Sequence, residues 1–280
     1  MTKDDLAPLY DPRNKLNDLS SKEWTYALGS VLMTRYPARG AASMAHHLRK
    51  AHPSPKPPQL MVELLRFFTQ KNGRVLDPFC GAGSSLVACA LEGRHGEGLD
   101  LAPTYAQLYH DVANYLHLPA LPYHIADACA PQSYERFGEQ AFDFVIADPP
   151  YSSMLARQRT GHRYKKGNDA ATPFSDDVAD LGNMPVEQFF PALITALTNC
   201  THVLRHHGHM VVFIKDLQPT ATHHNMLHAD VVNAMAAIPK LRYRGYRIWH
   251  DANINHFPFG YPHTFVANQT HQFILIFRKE

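Results

Sequence analysis

Asp148-Pro149-Pro150-Tyr151 sets one carboxylate, two prolines and one aromatic ring in four consecutive residues, directly after the apolar run Phe142 to Ile146 and Ala147. That run is short, continuous and rich in β-branched and aromatic residues, the pattern of a buried parallel strand. Pro149 has no N–H and cannot extend a ladder, so the strand stops there. Asp148 and Pro149 each precede a proline and are biased towards extended backbone. The expected product is a stiff rim at a strand's carboxyl end, where open α/β sheets bind ligands. Such a rim suits a poor nucleophile, the exocyclic amine of a nucleobase, whose lone pair is delocalised into the ring. The Asp148 carboxylate and the Pro149 carbonyl can accept its two N–H bonds and aim the lone pair at an electrophilic methyl group. Tyr151 can stack on the flat base. The contribution is orientation plus stabilisation of developing positive charge.

A second constellation lies upstream. Arg74-Val75-Leu76-Asp77 reads as a buried strand that runs into Pro78-Phe79-Cys80-Gly81-Ala82-Gly83-Ser84-Ser85 and then a helix. Strand, glycine turn and helix form the architecture of a nucleotide-type cofactor site. Leu86 stands where a dinucleotide fingerprint needs a third glycine, and no Gly-Lys-Ser/Thr follows. Gly81 and Gly83 are therefore expected to admit close approach of a cofactor without a pyrophosphate. The strand His95 to Asp100 ends in an acid about 20 residues past the turn, where a carboxylate can accept from ribose hydroxyls. A further short strand, His124 to Asp127, ends the same way. Asp127 can accept from an adenine amino group or cap the turn that follows.

These acids need a sheet to hold them. Helices are expected over Gln59–Thr69, Leu86–Leu91, Pro103–Leu116, Val186–Leu204 and Leu227–Ile238. Strands are expected at Met210–Lys215, Tyr246–Trp249 and Phe273–Phe277, besides the four above. Alternating strands and helices with two closing strands predict a twisted, mostly parallel sheet of seven strands with helices on both faces. Residues 1–51 read as an N-terminal extension, partly helical, with Trp24, Ala27, Leu28 and Val31 on one face. Its Arg35, Arg39, His46, His47, Arg49 and Lys50 suit a solvated or phosphate-contacting edge. Residues 52–280 read as the catalytic domain, and 280 residues are ample for its core.

A net charge of +2 confines any nucleic-acid-binding surface to a local patch. The basic cluster Arg157, Arg159, His162, Arg163, Lys165 and Lys166 supplies one, inside a polar insertion at about 152–185. So long a loop directly after the catalytic rim is expected to act as a lid whose Arg157, Arg159, Arg163, Lys165 and Lys166 contact phosphate. The start of the chain shows no apolar signal segment and no apolar run reaches membrane length. Four scattered cysteines suit reduced thiols in a cytoplasmic protein. The 19 histidines include His224 and His228 at helical spacing, but no Cys or carboxylate joins them as a ligand set, so no metal site is expected.

With these residues in hand, the chain resembles the S-adenosylmethionine-dependent amino-methyltransferases of DNA, which make N6-methyladenine or N4-methylcytosine. The resemblance is carried by His52-Pro53-Ser54-Pro55-Lys56-Pro57, by Asp77-Pro78-Phe79-Cys80-Gly81-Ala82-Gly83 and by Asp148-Pro149-Pro150-Tyr151, over about residues 52–151. It implies a Rossmann-like methyltransferase fold whose last strand is antiparallel. It also implies S-adenosylmethionine as cofactor, held by Lys56, Asp77, Pro78, Phe79, Cys80, Gly81, Gly83, Asp100 and Asp127. The implied substrate is a flipped DNA base. Asp at the first position of the catalytic motif leans towards adenine in that family, where Ser leans towards cytosine. In many relatives the catalytic motif precedes the cofactor motif; here it follows, a circular permutation. No large target-recognition domain is visible, leaving the insertion and Arg242, Arg244, Arg247 and His250 to read sequence. An RNA amino-methyltransferase is the nearest alternative, since tRNA guanine-N2 enzymes share the Asp-Pro-Pro-Tyr motif. A protein-glutamine methyltransferase would carry Asn in place of Asp148. A binding protein without chemistry sits poorly with so complete a set of acids and glycines.

Overall fold

The computed structural model describes residues 13–151, 173–216, 224–256, 262–265 and 267–280. Eight strands form a single sheet in the order β1-β7-β8-β6-β5-β2-β3-β4. They are β1 (Val31–Thr34), β2 (Arg74–Asp77), β3 (His95–Asp100), β4 (Tyr123–Ile125), β5 (Phe142–Ala147), β6 (Leu204–Ile214), β7 (Leu241–Asp251) and β8 (His271–Lys279). All pairings are parallel except those of β8, which runs antiparallel to both β6 and β7. The seven expected strands are present, and the eighth, β1, comes from the N-terminal segment.

That eighth strand corrects the reading of Trp24 to Val31 as one helical face. Helix α1 (Ser21–Ala27) is closed at its start by a capping box between Ser20 and Glu23 and stops before Gly29. Val31-Leu32-Met33-Thr34 then pairs with Ile248 to Asp251, so its backbone polar groups are satisfied by β7 and not by a helix. The strand is only half-buried and carries no strong apolar run, which is why periodicity missed it.

Helices cover both faces of the sheet. Alternate residues of the central strands part between two cores, as a period of two requires. Val75, Phe144, Ile146, Val211, Phe213 and Ile274 join Leu60, Leu64, Leu65 and Phe68 of α3 (Pro58–Phe68). Leu76, Val145, Ala147, Met210, Val212 and Leu275 join α6 (Val186–Val203) and α7 (Leu227–Ala236). A third cluster packs α4 (Ser84–Glu92) against α5 (Pro103–Tyr115) and the short α2 (His46–Arg49).

Several basic residues that looked available for nucleic acid are structural. Arg49 is buried and donates to the carbonyls of Ser43, Met44 and Lys56 at 2.9–3.0 Å. Burial pulls its pKa down to about 10. Arg247 is also buried, donates to the Ala27 carbonyl and lies over the Phe67 ring. Arg242 and Arg244 lie at the start of β7, and because β7 runs in the same sense as β6 they sit at the sheet edge opposite the strand-end acids. Arg244 pairs there with Glu280. Of the four expected readers, only His250 is near the carboxyl end of β7, with Nδ1 3.1 Å from the Thr270 carbonyl.

Candidate active site

The chain leaves β2 towards β3 and β4 on one side, while β5 and β6 extend the sheet on the other. The reversal of direction falls between the adjacent strands β2 and β5, and a crevice opens outside their carboxyl ends. Asp77 closes β2 and Asp148 follows β5 by one residue, so the two motifs meet across this switch point. The crevice encloses about 90 Å³ beneath an open mouth. Its lining includes Lys56, Asp77 to Ala82, Asp100, Asp127, Asp148, Pro149 and Pro150. Phe174, Asp180 and Leu181, from the second half of the 152–185 insertion, complete the wall.

Each acid has a defined partner. Asp77 is buried; its carboxylate accepts from the Phe79 N–H at 3.0 Å and from the Ser85 hydroxyl. Burial pushes its pKa up to about 7, Ser85 and Phe79 pull it down, and the charges of Asp148 and Asp100 raise it. Asp100 accepts from the N–H groups of Gly81 and Ala102 at 2.8 and 2.9 Å, so it fixes the glycine turn while facing the crevice. Burial raises it to about 6 against those two hydrogen bonds. Asp127 accepts from the Cys129 N–H at 2.7 Å, the capping alternative of the two offered by the sequence.

The two raised acids have a consequence for stability. The native state holds protons that the unfolded chain, with carboxyl pKa near 3.8, has already released. Stability is therefore expected to fall as pH rises from about 4 to about 7, the sign set by greater proton binding in the native state. Thermal melts at pH 5 and pH 8 test this, and Asp77→Asn should shrink the difference. An unchanged pH dependence in that variant would place the titrating group elsewhere.

Gly81 and Gly83 both have positive φ, +48° and +73°. Their lack of a side chain has a more specific cause than room for a cofactor. A Cβ on Gly83 would lie 2.1 Å from the Tyr109 ring, and one on Gly81 would lie 2.8 Å from His52 Nε2. Tyr109 is fully buried and its hydroxyl accepts from the Leu121 N–H at 2.8 Å. The turn is thus shaped from below by α5 and from above by His52.

At the rim, the Asp148 carboxylate is gripped by Lys56, whose Nζ lies 2.7 and 2.6 Å from its two oxygens. Tyr151 donates its hydroxyl to Asp148 at 3.1 Å. The Lys56 ammonium also lies 5.3 Å from the Phe213 ring centre and 6.0 Å from that of Tyr151. Lys56 is buried, and its own carbonyl accepts from Ser84 and Arg49, so its backbone is fixed. Lys56 therefore faces the rim acid; the expectation that it holds a cofactor gains no contact here. Tyr151 is nine-tenths buried. Burial, and the Asp148 charge after it, drive its phenol pKa well above the ordinary value.

The basic residues Arg157, Arg159, Arg163, Lys165 and Lys166 lie outside the described residues. Sequence reasoning did not assign His52, Tyr105, Phe174 or Asp180 to the crevice. His52 sat inside a quoted motif, whereas the other three carry no local signal. Among the described residues no group of three or more His, Cys, Asp or Glu is arranged to hold a metal ion. Among the same residues, no helix is long and apolar enough to cross a membrane. His224 precedes α7, and His228, instead of sharing its face with His224, binds the Asp216 carboxylate through Nδ1 at 2.7 Å and stacks on Phe273.

Strand order, switch-point crevice and antiparallel β8 together define a Rossmann-like methyltransferase fold. The solved structure of TrmN from Thermus thermophilus shares it, with a TM-score of 0.54 at 17% identity over 85% of this chain and 53% of that one. Two further likenesses lie in the sequence. The N6/N4 methyltransferase model, described as "DNA methylase", matches residues 9–111, which include the glycine turn and Asp100 and end before Asp148. The Escherichia coli (strain K12) protein "Putative methylase YubD" is 33% identical over 79 residues. That match spans 28% of this chain and about a third (35%) of YubD. Both matches cover less than half of this chain.

Proposed function

We propose that the protein transfers a methyl group from S-adenosylmethionine to the exocyclic amine of a flipped DNA base, adenine N6 ahead of cytosine N4. The observation that carries this reading is the rim itself: a carboxylate at the switch point already holds an amine nitrogen between its two oxygens, beside an aromatic ring. A target amine would bind beside the Lys56 ammonium, with the remaining acceptor capacity of Asp148 and the Pro149 carbonyl taking its N–H bonds. Charge that builds on the nitrogen during transfer would meet the same carboxylate that now neutralises Lys56.

The opposite wall fits the cofactor. Asp100 and Asp127 each keep an acceptor lone pair for hydroxyl or amino donors, because their capping bonds leave capacity unused. Phe79 and Ala128 offer apolar surface to a flat ring, and Asp77 adds a buried acid at the base of the crevice. S-adenosylmethionine supplies an already activated methyl group, and the chain's task is to align the amine with it and to exclude water.

DNA is favoured over RNA by the family model, and adenine by Asp148 within the family resemblance. Mass spectrometry of nucleosides from DNA and RNA incubated with enzyme and methyl donor tests both. N6-methyladenine in DNA is the expected product. N4-methylcytosine without N6-methyladenine overturns the target atom, and methylated RNA with unmodified DNA overturns the substrate.

Lys56 is read as part of the rim, so Lys56→Met should leave cofactor affinity within about twofold. Turnover should drop by roughly 100-fold, or ~2.7 kcal/mol of barrier, since Asp148 would lose its buried counter-charge. A tenfold loss of cofactor affinity would return Lys56 to the cofactor wall.

A further inference from the structure

The last part of the 152–185 insertion crosses the crevice and is tied to both of its walls. On the cofactor side, Tyr105 of α5 donates its hydroxyl to the Phe174 carbonyl at 2.5 Å. The Phe174 ring lies 5.2 Å from His52, and His52 meets Tyr105 edge-on at 4.5 Å. On the rim side, Gly182 packs so closely that an added Cβ would lie 3.2 Å from Pro150 Cβ and 3.0 Å from the Phe174 ring. Between these ends the segment is braced internally. Asp180 accepts from Ser175 Oγ and the Gly182 N–H, both at 2.7 Å, and Asn183 Nδ2 donates to the carbonyls of Ser175 and Asp177 at 2.8 and 2.9 Å.

Among the described residues, the cofactor-side end is held by the Tyr105 hydroxyl and by the ring cluster of His52, Tyr105 and Phe174, and a segment with its own bracing moves as a unit when that end is released. We propose that Phe174–Asn183 is a strap over the cofactor end of the crevice, and that its release at the Tyr105–Phe174 contact sets the rate of cofactor exchange. The proposal rests on the crevice being the S-adenosylmethionine site. The strap is itself part of the 152–185 insertion. Tyr105 acts here as a positioning residue: it holds the strap, and the strap holds the ligand in.

The prediction is kinetic. A group that touches the ligand changes affinity mainly through the dissociation rate, whereas a group that only holds a gate changes both rates together. Tyr105→Phe keeps the ring against His52 and removes the tie to Phe174. Association and dissociation of S-adenosylhomocysteine, followed by stopped-flow mixing and radioligand chase, should both accelerate by about three- to tenfold, as loss of one hydrogen bond allows. The dissociation constant should stay within about twofold. Asn183→Ala, which unbraces the strap without changing Tyr105 or the crevice lining, should give the same paired acceleration. Acceleration of dissociation alone makes Tyr105 a ligand contact and overturns the strap, as do unchanged rates in both variants. Absence of S-adenosylhomocysteine binding by the wild-type protein overturns the cofactor reading itself, a result distinct from either.

Discussion

Asp148→Ala is expected to reduce methyl transfer by at least about 1000-fold, equivalent to ~4 kcal/mol of barrier, while cofactor affinity changes by less than about twofold. The split follows from where Asp148 sits. Its oxygens face Lys56 and Tyr151 at the rim of β5, across the crevice from Asp100 and Asp127. Alanine removes the acceptor that orients the amine and the charge that stabilises it as it becomes positive. The substitution also strands a buried ammonium on Lys56, which costs stability, so a melt must accompany the assay. Asp148→Asn separates the two effects, since an amide keeps one acceptor oxygen without the charge. It should fall between wild type and alanine in turnover. Retention of more than a tenth of wild-type turnover by the alanine variant would remove Asp148 from the chemistry. A parallel collapse of cofactor affinity would move it to the other wall.

Gly83→Ala is expected to be the most destabilising single methyl group in the cofactor turn. Two independent costs fall on it. The backbone has φ +73°, which costs a residue with a Cβ about 1–2 kcal/mol. The new Cβ would also stand 2.1 Å from the ring of Tyr109, a fully buried side chain whose hydroxyl is engaged with Leu121. Overpacking of this kind costs about 1–3 kcal/mol when neighbours give way. Their sum, roughly 3 kcal/mol, corresponds to a melting temperature about 6–12 °C lower. Gly93→Ala provides the comparison, with a similar φ of +64° but nothing within 4 Å of the added atom. It should cost only the backbone part. Equal melting points for the two variants would show that Tyr109 does not set the identity of residue 83.

The strand-end acids were readable because each follows a short apolar run that any parallel sheet would bury. Asp77, Asp100 and Asp148 could be placed at one edge from strand order alone. The partnerships among them were not readable. Lys56 and Asp148 are 92 positions apart, and nothing in the Lys56 segment says which wall its flexible side chain will choose. Tyr105, His52 and Phe174 come from three separate stretches, none with a pattern that announces the others. Charge was a poor guide in both directions. Arg49 and Arg247 looked like surface cations, yet their guanidinium groups are buried and spent on backbone carbonyls. Gly81 and Gly83 were read as making room for a cofactor, yet the atoms that crowd their Cβ positions belong to the protein's own Tyr109 and His52.

Strand β1 bears on how the chain reaches its final form during synthesis. Val31 pairs with Ile248 and Thr34 with Asp251, more than 200 positions later, and the Trp249 indole reaches back to Thr34 at 2.9 Å. An early-made segment must therefore wait for one of the last strands before its pairing can form. Contacts of such long sequence separation close slowly, and waiting edges are open to wrong partners. In its final place β1 shields the free side of β7, which would otherwise present a row of unpaired backbone groups along its upper half. A chain begun at residue 52, where the sequence motifs start, would keep every acid of the crevice and lose that cover. Its failure would show as self-association through a bare strand, beside the loss of Arg49, which holds the Lys56 carbonyl.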